Sequence, residues 1–186
     1  MKRAFVFIDG NNFYFKLKEL TSRLDGKFSL LDFNFRKFAE WLVEPHKLVE
    51  IHYYLGVVRR QKNNSKSEEL YANQQRLFRK LQKQNIIITF GQLIKHPDKS
   101  YHEKGVDVRL AVEMIRFARE DKYDQAYLVS SDTDLAAAIE EVRAFGKNVQ
   151  YTGIPKGQSF GLSKMADDVR LLRPEEIKQF FPQSLI

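Results

Sequence analysis

Cysteine is absent from this sequence of 186 residues. Its absence excludes disulfide bonds and thiolate metal sites, and it suits a reducing compartment. No uninterrupted apolar stretch in the sequence approaches the length of a membrane span, so we expect no membrane partner. The absence of cysteine suits a cytoplasmic location, which is the location that we expect.

Internal repeats, low-complexity segments and linkers are also lacking. A Gly-x-Gly-x-x-Gly fingerprint does not follow the first predicted strand, which disfavours a nucleotide-binding Rossmann protein. We therefore expect one domain over residues 1–186, with a motif-bearing core at about 4–168 and a strand and helix extension at 169–186.

Basic residues are in excess. The sequence has 31 Lys and Arg against 24 Asp and Glu, a formal net charge of +7 and a pI near 9.5. This balance favours an anionic partner, with nucleic acid as the first candidate. Since many proteins simply have basic surfaces, the charge gains weight only if the acids cluster in one place.

Apolar segments of strand length alternate with helical segments. Strands are predicted at residues 4–8, 48–58, 86–90, 124–129 and 148–152, with a short sixth strand possible at 169–172 and a last helix from Pro174. Such alternation implies right-handed crossovers and a mainly parallel sheet, and therefore an α/β fold.

The segment after the fourth predicted strand is polar and acidic. Residues 126–129 are apolar, and Ser130, Ser131, Asp132 and Asp134 follow before a helix begins. A buried strand that leads into a helix through a polar turn presents side chains at the carboxyl edge of a parallel sheet. Each acid alone is explained by helix capping or by the helix dipole.

Two other acids follow comparable positions. Asp9 comes directly after the first strand, and Asp107 follows Gly105 at the start of a helix. If these acids meet Asp132 and Asp134 at one edge, each raises the pKa of the others, and a divalent cation relieves the repulsion. Carboxylates suit Mg²⁺ or Mn²⁺, which would support phosphodiester hydrolysis without a histidine base.

Two polar residues accompany the acids. Asn12 is expected either to orient Asp9 or contact a phosphate, or else simply to form a turn. Ser130 is expected to cap the following helix or to hydrogen-bond a metal-bound water, with turn formation again the plainer alternative. The residues alone leave these alternatives open.

At these residues the sequence resembles the NYN domain family, the LabA-like branch of the PIN-type ribonuclease superfamily. The matching segments are FVFIDGNN at 5–12, KGVDV at 104–108, LVSSDTDL at 128–135 and GKNV at 146–149. In the third segment Ser131 replaces a frequent glycine and Leu135 a phenylalanine, changes that leave both acids in place.

The resemblance implies a three-layer α/β/α PIN-like domain with a central, mainly parallel sheet and a strand order like 3-2-1-4-5. It also implies the following site residues: Asp9, Asp107, Asp132 and Asp134 as catalytic metal ligands, with Asn12 and Ser130 supporting them. PIN relatives usually have a further acid on a helix after the first strand, for which Glu40 and Glu44 are candidates.

A nuclease also needs contacts with phosphates and bases. The candidates for phosphate contacts are Lys16, Arg59, Arg60, Lys62, Lys95 and Lys104. Tyr14 and Tyr101 are candidates for stacking on bases. For any one of these basic or aromatic residues taken alone, a solvated surface or the core is the favoured explanation.

The sequence thus predicts a Mg²⁺- or Mn²⁺-dependent ribonuclease that acts on single-stranded or structured RNA, with DNA as an alternative substrate. A non-catalytic RNA-binding or protein-interaction module with the same fold is the main alternative. An aspartyl phosphatase is disfavoured because Asn11 occupies the place of its second acid. Phe180, Phe181 and Leu185 could serve a homodimer or close the core.

Overall fold

The computed structural model describes residues 1–26, 28–58, 64–91 and 105–182, and the backbone of 92–95 and 101–104. The strands are β1 (Arg3–Asp9), β2 (Lys47–Leu55), β3 (Ile87–Phe90), β4 (Gln92–Lys95), β5 (Tyr101–Lys104), β6 (Gln125–Val129), β7 (Asn148–Gly153) and β8 (Asp168–Leu171). The helices are α1 (Gly10–Thr21), α2 (Phe35–Val43), α3 (Ser65–Lys83), α4 (Val106–Arg119), α5 (Ala136–Ala144), α6 (Phe160–Met165) and α7 (Pro174–Lys178).

Six strands form a parallel sheet in the order β3-β2-β1-β6-β7-β8. The predicted mainly parallel sheet is confirmed, and β8 adds a sixth strand to the predicted order. Ile8 of β1 pairs with Tyr53 of β2 on one side and with Val129 of β6 on the other. The turns after β1 and β6 therefore lie side by side at the carboxyl edge, where the strand order reverses.

Helices cover both faces of the sheet, which confirms the predicted three-layer α/β/α architecture. The apolar faces of α1, α2, α3 and α7 form one core, in which Phe38 and Leu81 are fully buried. The apolar faces of α4, α5 and α6 form the other, around Leu110 and Ile139. Because helices cover both faces, β1 is buried along residues 4–9.

The aromatic residues near the carboxyl end complete the first core. Phe180 and Phe181 are only 4% and 6% exposed. The ring of Phe181 lies 4.8 Å from that of Phe28, and the ring of Phe180 lies 5.2 Å from that of Trp41. These two phenylalanines therefore close the core of the chain itself, and Leu185 lies outside the described residues.

Several element boundaries differ from the sequence prediction. The first helix begins at Gly10 because Asp9 caps it, and α5 begins at Ala136, after a 3-10 turn over Thr133–Leu135. Gln92 pairs with Lys104 in an antiparallel ladder of β4 and β5 that is separate from the main sheet. In the described part of the chain, no helix is both long and apolar enough to cross a membrane.

Candidate functional site

Asp9 is a buried carboxylate at the end of β1, only 4% exposed. Its Oδ1 accepts a hydrogen bond from the backbone N of Asn12 at 3.0 Å, which caps α1, and its Oδ2 accepts one from Oγ of Ser130 at 2.9 Å. Burial raises the pKa of Asp9, and the nearby charge of Asp132 raises it further, while the two hydrogen bonds oppose that rise. These bonds fix where the carboxylate lies.

Ser130 joins the turn after β6 to the turn after β1. Its side chain is 2% exposed, and its Oγ donates to Asp9 while accepting from the backbone N of Asp132 at 3.1 Å. Asp132 in turn caps the 3-10 turn, because its Oδ1 accepts from the backbone N of Asp134 at 3.0 Å. One hydroxyl therefore sets the relative position of two acidic turns.

Asn12 makes a second link between the same two turns. Its Oδ1 accepts a hydrogen bond from the backbone N of Ser131 at 3.1 Å, while its own backbone N donates to Asp9. The amide side chain is thus engaged with the turn after β6. The contacts of Asn12 in the structure join the turn after β1 to the turn after β6.

Sequence reasoning missed a hydrogen-bonded support behind these turns. The hydroxyl of Tyr151 accepts from the backbone N of Ser159 at 3.0 Å and lies 3.3 Å from Oγ of Ser131. Oγ of Ser159 lies 3.0 Å from Oγ1 of Thr133 and caps α6 by accepting from the backbone N of Leu162. A capping serine before a short helix was the one signal for this support.

Asp107 approaches the same edge from α4. Gly105 precedes the helix with φ of +81°, a left-handed conformation that glycine adopts without strain, and Asp107 lies in the first turn with an exposed side chain. Partial desolvation raises the pKa of Asp107, and so do the charges of Asp9, Asp132 and Asp134. The structure therefore brings all four predicted acids into one electrostatic neighbourhood.

The charge of these acids is not neutralised within the described part of the chain. None of the ion pairs among the described side chains involves any of the four carboxylates. Among the same residues, no three acidic or histidine side chains are grouped closely enough to hold one ion. A hard divalent ion at this edge would therefore have at most two direct ligands from the described residues, and water or phosphate would complete its shell.

The two candidates for a further acid do not join this group. Glu40 pairs with Arg36 on α2, at 3.0 Å. Glu44 lies just before β2, whose first residue pairs with the first residue of β1, so it belongs to the opposite edge of the sheet. Glu44 therefore does not lie at the carboxyl edge, and Glu40 is engaged by Arg36.

A buried acid that the sequence did not reveal is Glu113 of α4, which is 7% exposed. Its carboxylate accepts from the hydroxyl of Tyr54 at 3.0 Å and from Nε of Arg109 at 3.1 Å. Burial raises the pKa of Tyr54, and the charge of Glu113 raises it further. Because Glu113 is fully engaged, it anchors α4 to β2 and leaves no free carboxylate for the site.

The predicted phosphate contacts have different positions. Nζ of Lys16 donates to the carbonyl oxygen of Gly157 at 3.1 Å, so it holds the loop between β7 and α6. Lys95 and Lys104 are end residues of β4 and β5, and nothing is described of their side chains. Arg59, Arg60 and Lys62 lie outside the described residues. Their contacts stay predictions.

Comparison with known proteins agrees with this architecture. A solved protein of unknown function from Vibrio parahaemolyticus (VPA0982) is 18% identical, with a TM-score of 0.62 over 92% of this chain and 93% of that one. At such an identity the similarity shows the fold alone. Acinetobacter baumannii MurG is 12% identical over 99% of this chain and 44% of that one, and its TM-score of 0.45 is too low to indicate a shared fold.

No curated protein matches the sequence. The family model of the NYN domain, however, matches residues 3–172, which include every acid of the candidate site. The parallel sheet order and the three layers agree with the PIN-like nuclease fold of that family. The chain therefore belongs to the NYN domain family.

Proposed function

We propose that this protein is a ribonuclease that hydrolyses phosphodiester bonds of RNA with the help of Mg²⁺ or Mn²⁺. The observation that carries the proposal is the placement of the acids: Asp9 ends β1, Asp132 follows the adjacent parallel strand β6, and Ser130 links the two at the carboxyl edge of the sheet. Desolvation raises the pKa of Asp107, and the charges of Asp9, Asp132 and Asp134 raise it further, which agrees with this placement. Capping explains the positions of Asp9 and Asp132 but not the approach of all four carboxylates, whose repulsion a bound cation would relieve. Membership of a nuclease-like family agrees with this.

In the proposed site, one or two of the acids Asp9, Asp107, Asp132 and Asp134 would bind the ion directly and the others through water, because no three of the described acids lie close enough for direct ligation. The ion would supply charge neutralisation at phosphate oxygens and activation of a water nucleophile. The chain's own contribution is to hold the carboxylates in place. Ser130 fixes Asp9 through its hydroxyl, and Asn12 fixes the turn that carries Asp132.

The substrate is held mainly through its phosphates in this proposal. The proposed contacts are Lys16, Arg59, Arg60, Lys62, Lys95 and Lys104. For Lys16, contact with a phosphate requires that its ammonium group share or release the Gly157 carbonyl. The formal net charge of +7 supports an anionic partner, and such contacts predict binding that weakens steeply with salt.

A cytoplasmic location and a homodimer stay predictions.

One observation favours the non-catalytic alternative. Among the described residues no three acidic or histidine side chains lie close enough together to hold one ion. An RNA-binding module with the same fold would bind RNA through its basic surface and would not require a bound metal ion. DNA is the alternative substrate under either proposal.

The test is cleavage of a 5′-labelled RNA in Mn²⁺ by the wild type, Asp132→Asn and Glu140→Gln. Glu140 is an exposed acid on α5, outside the acid group, and serves as the matched control. We expect cleavage by the wild type and Glu140→Gln and a loss of more than about a hundredfold in Asp132→Asn. Equal cleavage by all three would reveal a contaminant, and binding without cleavage would establish the alternative.

A further inference from the structure

A groove of about 590 Å³ opens beside the acid edge. One face along the whole of α1, residues 28–31, the end of β2 with Val58, the middle of α3 and Phe181 form its walls. Its size lies within the roughly 300–1,000 Å³ that is usual for sites of small organic ligands. Nothing in the proposed phosphodiester chemistry uses this groove.

The groove is continuous with the candidate site. Gly10 and Asn11, the two residues directly after Asp9, line it. Tyr53 lines it as well, and its hydroxyl donates to the carbonyl oxygen of Gly10 at 3.3 Å. Burial raises the pKa of Tyr53, and the charge of Asp9 contributes to the rise, which places the groove wall within the electrostatic reach of that carboxylate.

The lining has the chemistry of a site for an uncharged planar group. Among the described residues that line it, none is acidic and Lys18 is the one cation. Leu55, Leu70 and Leu77 provide apolar walls. Asn73 adds a polar group, since its Oδ1 accepts from Arg76 while its amide N–H groups have no described partner.

Gln74 is also in the lining, yet its polar atoms are already used. Its Oε1 accepts from the backbone N of Val58 at 2.8 Å, and its Nε2 donates to the carbonyl oxygen of Gly56 at 2.6 Å. Gln74 thus fixes the segment after β2 against α3. These two hydrogen bonds fix one wall of the groove, where α3 meets the segment after β2.

Two aromatic side chains line the groove and remain accessible. Tyr14 is 42% exposed and Phe15 is 66% exposed, and their rings lie 5.4 Å apart in an edge-to-face arrangement. Exposed aromatic rings on neighbouring positions of one helix provide stacking surfaces for bases of a single strand.

We propose that this groove receives the unstacked base of a nucleotide that flanks the phosphate at the acid edge. The inference rests on the proposed function, and it makes single-stranded RNA the substrate, because a base inside a paired stem is not free to enter a groove. Tyr14 provides the stacking surface, the leucines exclude water, and Asn73 donates to the edge of the base. Since stacking is tolerant of base identity, the groove selects strandedness rather than sequence.

Binding is measured by fluorescence anisotropy in Mn²⁺, in an Asp132→Asn background that keeps the strand intact. The ligands are a short labelled single strand, its duplex, and a series in which each base in turn is removed to leave an abasic sugar. The added variants are Tyr14→Ala and, as matched control, Tyr71→Ala, which alters a tyrosine of similar exposure (36%) outside the groove.

We expect the duplex to bind at least about tenfold more weakly than the single strand, and one abasic position to weaken binding by about tenfold. Tyr14→Ala should lose about tenfold for the intact strand and should no longer distinguish the abasic strand, whereas Tyr71→Ala should behave as its parent. Thermal denaturation checks that both variants fold. If Tyr14→Ala does not fold, Phe15→Ala takes its place, and we expect it to lose about tenfold in affinity for the single strand.

The outcomes separate this inference from the proposed function. Suppose that the wild-type protein cleaves RNA, that single strand and duplex bind with equal affinity, and that Tyr14→Ala does not weaken binding. The groove proposal is then overturned and the nuclease proposal stands. If binding depends on the abasic position and on Tyr14 but the wild type cleaves nothing, the groove proposal stands and hydrolysis does not. Failure of every form to bind RNA overturns the groove proposal too.

Discussion

Replacing Ser130 by alanine tests the geometry of the acidic turns most directly. The buried hydroxyl donates to Oδ2 of Asp9 at 2.9 Å and accepts from the backbone N of Asp132 at 3.1 Å. Ser130→Ala removes both hydrogen bonds and adds no volume. A hydrogen bond to a charged group contributes roughly 1.5–3 kcal/mol, so we expect the free energy of unfolding without metal to fall by about 2 kcal/mol. In a chain of this size that corresponds to a melting temperature lower by roughly 4–8 °C.

The loss in Ser130→Ala should depend on pH, because the serine donor stabilises the charged form of Asp9. Burial already raises the pKa of Asp9 in the folded wild type, and loss of the donor raises it further in the variant. As pH falls, the folded variant therefore takes up its proton earlier than the folded wild type, and protonation favours the folded variant. The difference in stability is then largest where Asp9 is ionised and shrinks in acid.

The assay is thermal denaturation followed by circular dichroism in EDTA, at about pH 8 and about pH 5. Ser131→Ala is the matched control, since that hydroxyl lies 3.3 Å from the hydroxyl of Tyr151 and contacts no described carboxylate. We expect it to cost about 1 kcal/mol at both pH values. Equal losses in the two variants, unchanged between the two pH values, would refute the reasoning.

Two further predictions concern the packing around β2. Gly10→Ala should lower the free energy of unfolding in urea by about 1–3 kcal/mol, because the added methyl group would meet the ring of Tyr53 and lie 2.7 Å from the backbone oxygen of Tyr54; unchanged stability would contradict this. His52 is 2% exposed, and burial lowers its pKa. Below about pH 6.5 the unfolded chain therefore gains a proton that the folded chain does not, and the free energy of unfolding decreases as the pH decreases. His52→Phe should remove this contribution to the pH dependence of the free energy of unfolding, which is at most about 1.4 kcal/mol per pH unit. Urea denaturation between about pH 7 and about pH 5.5 measures the dependence, and the same slope in both proteins would count against the prediction.

The sheet and its edge were predictable because their signals are local. Each buried strand is a run of apolar residues, and in β1 and β6 that run stops at polar and acidic residues. The parallel direction of the strands follows from right-handed crossovers, whereas their order was implied by the resemblance to the NYN family. Asp9 and Ser130 could be placed at one edge in this way, since both follow a buried strand directly.

The contacts that organise the site were not predictable, because they join residues far apart in the chain. Asn12 is 119 positions from Ser131, and no periodicity marks an amide that accepts from a distant backbone N. The bond from Lys16 to Gly157 is of the same kind, and it gives a structural role to a lysine that charge alone had marked for phosphate. The groove likewise depends on how α1 and α3 lie against β2, which composition does not encode.

The same hydrogen bonds explain how the fold tolerates its repelling acids. Asp9 caps α1 and Asp132 caps the 3-10 turn, so two of the four carboxylates also complete local structure. Asp107 has no capping role and is exposed, where water screens its charge. A capping carboxylate is held in place without an ion, so the proposed site would need little reorganisation to bind one. Because asparagine caps as well as aspartate does, Asp132→Asn removes the charge and retains the turn, whereas alanine would remove both. A loss of cleavage in the asparagine variant with unchanged folding would therefore assign the effect to the charge itself.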